Sequence, residues 1–319
     1  MNEWFEAEQH AERAHEYFEA GRLDEAEHEL RAALASQPDQ AEWLFNLGLT
    51  LEASGRYEQA VETFERVVEV QDEAPAAMLM MGACLMRMDD PSGALTWLER
   101  AVEVKPSDAE GYVYMVEALT RLGRHDDAEL AFYLGQQLEE DRADLYVALA
   151  DSLLDRGLHE RAVWCLREAA RLDPSLAKIN ARLAEAYAIT GRFERARQLY
   201  LAELRLDPGD VDVLLDMGDL LVDMHRFDEA GEKYRRVLEL QPHHVAAHEA
   251  LGELGVRLGK TDEAVRAFDV VLRLDSEHDG ARTRLAQILL ERNNPGDVQR
   301  ARTLLISELS ARRAALTRD

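Results

Sequence analysis

Cysteine is nearly missing from this 319-residue chain: Cys84 and Cys165 stand far apart, with no CxxC or Cys/His spacing around either. That excludes a disulfide-stapled scaffold and a structural zinc site, and predicts two small buried hydrophobes in a reducing compartment. Proline and glycine are scarce at 8 and 18 residues, which excludes collagen-like and low-complexity disordered chains. No run of about 18 apolar residues occurs, so no membrane span is expected. The opening MNEWFEAEQHAERAHEYFEAG is acidic and lacks an apolar stretch, so no secretory leader is expected and the cytoplasm is the predicted location. Positive charge is in deficit, 37 Lys and Arg against 63 Asp and Glu, for a net charge of −26. Such a field repels phosphate, so neither nucleic acid nor an anionic membrane surface is an expected partner. Gly-rich phosphate loops, GxSxG elbows, HExxH and EF-hand patterns are all missing, so no enzyme, cofactor or metal site is expected.

What the chain has in abundance is Ala, Leu, Glu and Arg, side chains that lose little freedom in a helix, and a strict period. Ala26, Ala60, Ala94, Ala128, Ala162, Ala196, Ala230 and Ala264 follow one another every 34 residues. Similar hexapeptides end on them: GRLDEA, GRYEQA, GRHDDA, GLHERA, GRFERA, HRFDEA and GKTDEA, with DDPSGA at Ala94 departing most. Pro38, Pro106, Pro174, Pro208 and Pro242 stand 12 residues after the alanine. Small residues such as Gly48, Gly82, Gly218 and Gly252 stand 12 before it, and Leu, Phe or Tyr four after it.

Each mark has a physical role. Glycine ends a helix in the left-handed conformation that other residues resist. Asp or Glu before the alanine suits the positive end of the next helix. Alanine marks a close helix approach, the large side chain one turn later fills the adjacent gap, and proline separates units. Each unit is therefore a helical hairpin that buries its apolar stripe only against neighbours.

The pattern resembles the tetratricopeptide repeat family, whose period is about 34 residues. The resemblance implies an all-α, right-handed superhelical solenoid of about nine helix-turn-helix repeats forming a single domain over 1–319. The repeats are placed at 7–40, 41–74, 75–108, 109–142, 143–176, 177–210, 211–244, 245–278 and 279–316, with NNPGD inserted in the last so that its alanine is Ala301. Residues 1–6 are expected to cap the first repeat through Trp4 and Phe5. A basic capping helix, 298–319, is expected to bury Ala301, Leu305 and Leu309.

The resemblance further implies a protein-binding scaffold whose concave groove is lined by the second, fifth, sixth, ninth and twelfth positions of each first helix. Carried over, the ninth positions of repeats four to eight are Glu117, Asp151, Glu185, Asp219 and Glu253, and second positions add Glu110, Asp144 and Asp212. Repeats two and three present Phe45, Leu49, Leu79, Met80 and Met86. Packed helices lie roughly 8–10 Å apart and an extended chain rises about 3.3 Å per residue. The expected ligand is a protein or peptide with Lys or Arg at about every third residue. Neutralisation of the acids by arginines of neighbouring helices is the competing reading. The family's clamp for a C-terminal carboxylate is not matched: Ala11, His15, Asn46, Ala76 and Met80 fail it. Glu117 spoils the second candidate set, where only Lys178 and Arg182 fit. His244 and His248 are spaced for one helix face, but two ligands fall short of a zinc site. Self-assembly through the basic end and acidic groove, or service as the substrate-holding arm of a larger enzyme complex, are the alternative functions.

Overall fold

The structure, a computed structural model, describes the backbone of residues 2–315 and the side chains of 4–278 and 280–306. Eighteen helices and no strand make up these residues, in nine consecutive pairs. The first helices are α1 (Asn2–Glu19), α3 (Ala41–Ala53), α5 (Pro75–Arg87), α7 (Ala109–Arg121), α9 (Ala143–Asp155), α11 (Ile179–Ile189), α13 (Val211–Asp223), α15 (Val245–Arg257) and α17 (Asp279–Arg292). The second helices are α2 (Leu23–Ser36), α4 (Tyr57–Val70), α6 (Pro91–Val104), α8 (His125–Leu138), α10 (His159–Leu172), α12 (Phe193–Leu206), α14 (Phe227–Leu240), α16 (Thr261–Leu274) and α18 (Pro295–Ala315). The chain packs as two compact units, Met1–Ile179 and Asn180–Asp319.

The turn inside each hairpin explains the first half of the sequence grid. Gly21, Gly55, Gly123, Gly157, Gly191 and Gly259 all have φ near +70°, and the next residue donates its N–H back five residues, as Arg22 does to the Tyr17 carbonyl at 2.8 Å. This is the 6→1 bond of a Schellman helix end. The two hexapeptides without the glycine keep the turn: Asp89 and His225 take φ of 59° and 58°, and Asp90 and Arg226 make the same return bond. In DDPSGA the new helix is re-secured locally. The Asp90 carboxylate accepts from the Gly93 N–H at 2.9 Å, and Pro91 opens α6, where its missing N–H is not needed.

The alanines explain the second half. All eight, together with Ala301, have 0% exposure. Gly48, Gly82, Gly218 and Gly252 each meet the large residue 16 positions on: a Cβ added to Gly82 would lie 2.6 Å from Leu98, and one added to Gly252 would lie 2.8 Å from Phe268. Phe64 and Phe268 are fully buried in those joints. In the first unit the core runs from Ala7 to Ala101 without a break between hairpins; in the second, one cluster joins α16, α17 and α18. Burial is thus shared between neighbours, as a repeat stack requires.

Both termini differ from expectation. Trp4 and Phe5, expected in a separate cap over 1–6, lie within α1, each 55% exposed, because 2–19 contains no glycine or proline to stop helix formation. The last helix starts at Pro295 rather than at residue 298, since Asn293 takes the left-handed cap (φ 52°) and Pro295 is pre-set for a first helical turn. Ala301 is buried and Leu305 half-buried there; Leu309 lies outside the described side chains.

Candidate functional site

The first helices α3, α5, α7 and α9 touch one another directly across successive repeats, in addition to packing on their own partners. Several of the residues expected to bind lie on these helices. In the first unit Phe45 is half-buried with its ring 5.5 Å from Phe64. Leu49 lines a pocket of about 170 Å³ with Ala11, His15, Phe18 and Asn46. These are groove positions of the first two repeats, and His15, Phe18 and Asn46 were not among the expected binding residues. Met80 is half-buried, whereas Leu79 and Met86 are 7% and 5% exposed, so these two form the floor of the face and present almost no surface. Their apolar character follows from packing between crowded first helices.

The acids fall into different settings. Glu117 and Asp151 are half-buried. Glu110 and Glu117 flank Tyr114, whose hydroxyl is pushed up chiefly by burial and then by these carboxylates and Glu52, with Arg87 opposing. Asp144 accepts from the Arg142 guanidinium at 2.9 and 3.0 Å through its two oxygens.

In the second unit the acids crowd. Glu185, Asp212, Asp216 and Asp219 are exposed, the last three on α13 at the second, sixth and ninth groove positions. Partial loss of hydration, followed by the carboxylates of Glu185, Asp219, Asp212 and Asp210, pushes the Asp216 carboxyl up to about 6. Tyr200, buried in α12, feels the same field: burial raises it first, then Asp216, Glu185 and Asp219. Asp219 accepts a 2.6 Å hydrogen bond from the Tyr234 hydroxyl, which fixes its position on the face. Asp216 stands at the sixth groove position, in register, but in the sequence nothing sets it apart from the many other acids. Glu253 behaves differently. Arg284 of the following repeat donates to both of its oxygens, at 2.7 and 2.8 Å.

The histidine pair is put to structural use. His244 caps α15, its Nδ1 accepting from the Ala247 N–H at 3.3 Å, and His248, half-buried, bonds to the Pro242 carbonyl at 3.0 Å. Among the described residues no three His, Cys, Asp or Glu side chains gather as a metal set, and no helix is long and apolar enough to cross a membrane.

Tetratricopeptide repeat profiles match residues 12–78, 147–211, 215–279 and 256–315, and a second profile of that description matches 51–119. The chain belongs to the tetratricopeptide repeat family. No functionally curated protein matches the sequence. Among solved structures, a tetratricopeptide repeat protein from Parabacteroides merdae is 15% identical, with a TM-score of 0.64 over 79% of this chain and 99% of that one. PilF of Pseudomonas aeruginosa is 19% identical, with a TM-score of 0.55 over 64% and 93%. The thermophilic protein TTC0263 of Thermus thermophilus is 23% identical, with a TM-score of 0.51 over 57% and 99%. At these identities the likeness is one of fold. Within the tetratricopeptide repeat frame, the first-helix face of each unit is the site candidate, acidic at α7 and α9 in one unit and at α11 and α13 in the other.

Proposed function

We propose that this protein is an interaction scaffold whose first-helix face holds a partner segment bearing Lys or Arg. The observation that carries this reading is the set of Glu185, Asp212, Asp216 and Asp219 on one face of the second unit. Neither Glu185 nor Asp216 has an ion-pair partner among the described residues, and partial burial, followed by the repulsion of Glu185, Asp219, Asp212 and Asp210, lifts Asp216 to about 6. Like charges held together at a surface gain no stability from the arrangement; a cationic ligand relieves the repulsion and is steered toward it. In the first unit, Phe45, Leu49 and Met80 beside the pocket at His15 and Asn46 support apolar side chains in a segment bound there. Glu253 is not part of the proposed face, because Arg284 already neutralises it. The two buried thiols suit a reducing, cytoplasmic setting.

Fluorescence anisotropy with a labelled peptide carrying Lys at every third position tests the idea. Binding is expected to weaken steeply with salt and to be lost in Asp216→Lys/Asp219→Lys, while Glu253→Gln leaves it unchanged. Equal binding of an uncharged peptide, or an affinity indifferent to the double charge reversal at low salt, refutes the proposal.

A further inference from the structure

The first helices of adjoining repeats meet in couples. The ninth residue of one first helix and the sixth of the next stand 31 apart in the chain. In the first unit His15 and Asn46 form such a couple and wall one pocket. In the second unit Glu185 and Asp216 form another, and Glu185 is the foremost of the charges acting on Asp216. Glu253 of α15 and Arg284 of α17 form a third, in direct contact. The last two couples share a register and differ in one residue: where α13 offers a second carboxylate, α17 supplies a guanidinium.

The Arg284 guanidinium is seated as that of a ligand would be. Nε donates to one Glu253 oxygen at 2.7 Å and Nη2 to the other at 2.8 Å, the fork-to-fork geometry that makes arginine–carboxylate recognition specific. Nη1 donates to the Gln287 amide oxygen at 3.2 Å, and the Glu291 carboxylate adds a further attraction. The seat is open to solvent, with the Arg284 side chain 34% and that of Glu253 39% exposed. An ion pair this open adds little to folding. What it changes is the charge that α15 and α17 present, because both Glu253 oxygens are already engaged.

We infer that Arg284 stands in for the cation of a bound segment and closes the acidic first-helix face at α15 and α17, so that it limits how long a Lys- or Arg-bearing segment is held. This rests on the cation-binding role proposed for that face. Arg284 holds the couple through its own backbone tether, at an effective concentration that a cation from a partner has to overcome. Removing the guanidinium therefore opens a subsite at Glu253, with Gln287 and Glu291 beside it, for one more cation. That subsite lies two repeats on from the open couple at Glu185 and Asp216. Helix spacings of 8–10 Å put it roughly 16–20 Å away, a distance that an extended segment covers in about five or six residues. A segment with Lys at every third position thus brings a Lys to both places, and one half as long reaches only the first.

Fluorescence anisotropy of the full chain at low salt, with two labelled peptides, tests the assignment: one of about twelve residues with Lys at every third position, and one of about half that length. Arg284→Ala is expected to bind the longer peptide about fivefold more tightly than the parent and to leave the shorter one unchanged. Arg284→Gln repeats the gain if the alanine variant disturbs folding, and adding Glu253→Gln to either abolishes it. Arg236→Ala removes a positive charge from the second helix α14 and should alter neither affinity, which separates a subsite from a mere gain in net negative charge. The two failures are distinguishable. If the parent binds neither peptide, the cation-binding role of the face falls and this inference with it. The stand-in role alone is overturned if the parent binds the longer peptide and loses it in Asp216→Lys/Asp219→Lys, yet Arg284→Ala and Arg284→Gln give no gain. A gain that survives Glu253→Gln, extends to the shorter peptide or appears equally in Arg236→Ala overturns it as well.

Discussion

Gly252→Ala isolates the joint that the repeat grid is built on. In a helix interior this change normally stabilises by up to about 1 kcal/mol, because alanine restricts the unfolded chain and suits the helix. Here the added methyl would sit 2.8 Å from the Phe268 ring, which is 0% exposed and has no free space to move into. Overpacking a close-packed core costs about 1–3 kcal/mol, so the net expectation is a loss of about 1–2 kcal/mol. Gly296→Ala, where nothing lies within 4 Å, serves as the control and should be neutral or mildly stabilising. The decisive variant is Gly252→Ala/Phe268→Leu, which places here the residue types that Ala150 and Leu166 hold at the equivalent grid positions, both at 0% exposure. Phe268→Leu alone leaves a void, so the double variant should be more stable than the two single losses sum to, by about 1 kcal/mol or more of coupling. Urea unfolding followed by far-UV circular dichroism gives the energies, and amide exchange in α15 and α16 locates them. A Gly252→Ala variant at least as stable as the parent, or a double variant that is merely additive, would refute close approach as the reason for the small residue.

Three further outcomes follow from other sites. Asp89 sits at φ 59°, so Asp89→Gly should stabilise by about 0.5–1 kcal/mol in thermal melts, whereas Asp89→Ala should give no such gain. Asp216, raised to about 6, is easier to protonate in the fold than in the unfolded chain. Its contribution to stability is therefore full below about pH 4, the unfolded value, and is lost as pH rises through about 6; Asp216→Asn should flatten the stability profile across that window. The same substitution should weaken binding of the Lys-bearing peptide at pH 7.5 and change nothing at pH 5, where the parent is already neutral. Burial pushes the Cys84 and Cys165 thiols up to about 12, so neither should react with iodoacetamide until the chain is unfolded in denaturant.

The fold was legible because its signals are steric and repeat. Glycine for a positive φ, alanine for a contact with no room, and a large residue for the adjoining gap each recur in phase, so a lapse at one repeat is outvoted by the others. The departures at Asp89 and His225 show this: both residues take the left-handed turn less readily than glycine, yet the hairpin keeps it. The site was less legible, because a register position says where a side chain starts and not what it meets. Leu79 stands at the fifth position, as half-buried Phe45 does, and Met86 at the twelfth, as Glu52 does, yet both sink between crowded first helices. Glu253 shares its position with Asp219, but Arg284 reaches it from 31 residues on. Asp216 was in register all along, and only the gathering of Glu185, Asp212 and Asp219 around it singles it out.

The sameness of the buried joints has a consequence for how such a chain can change length. Where each hairpin greets the next with a matching peg and socket, cutting out or copying one period inside either unit leaves a seam whose two sides already fit. Growth by whole modules then asks for no new complementarity, while gain or loss of a few residues inside a module would put every later socket out of step. The five residues NNPGD mark where an exception stands: at the turn between α17 and α18, where Asn293 and Pro295 build a turn of their own.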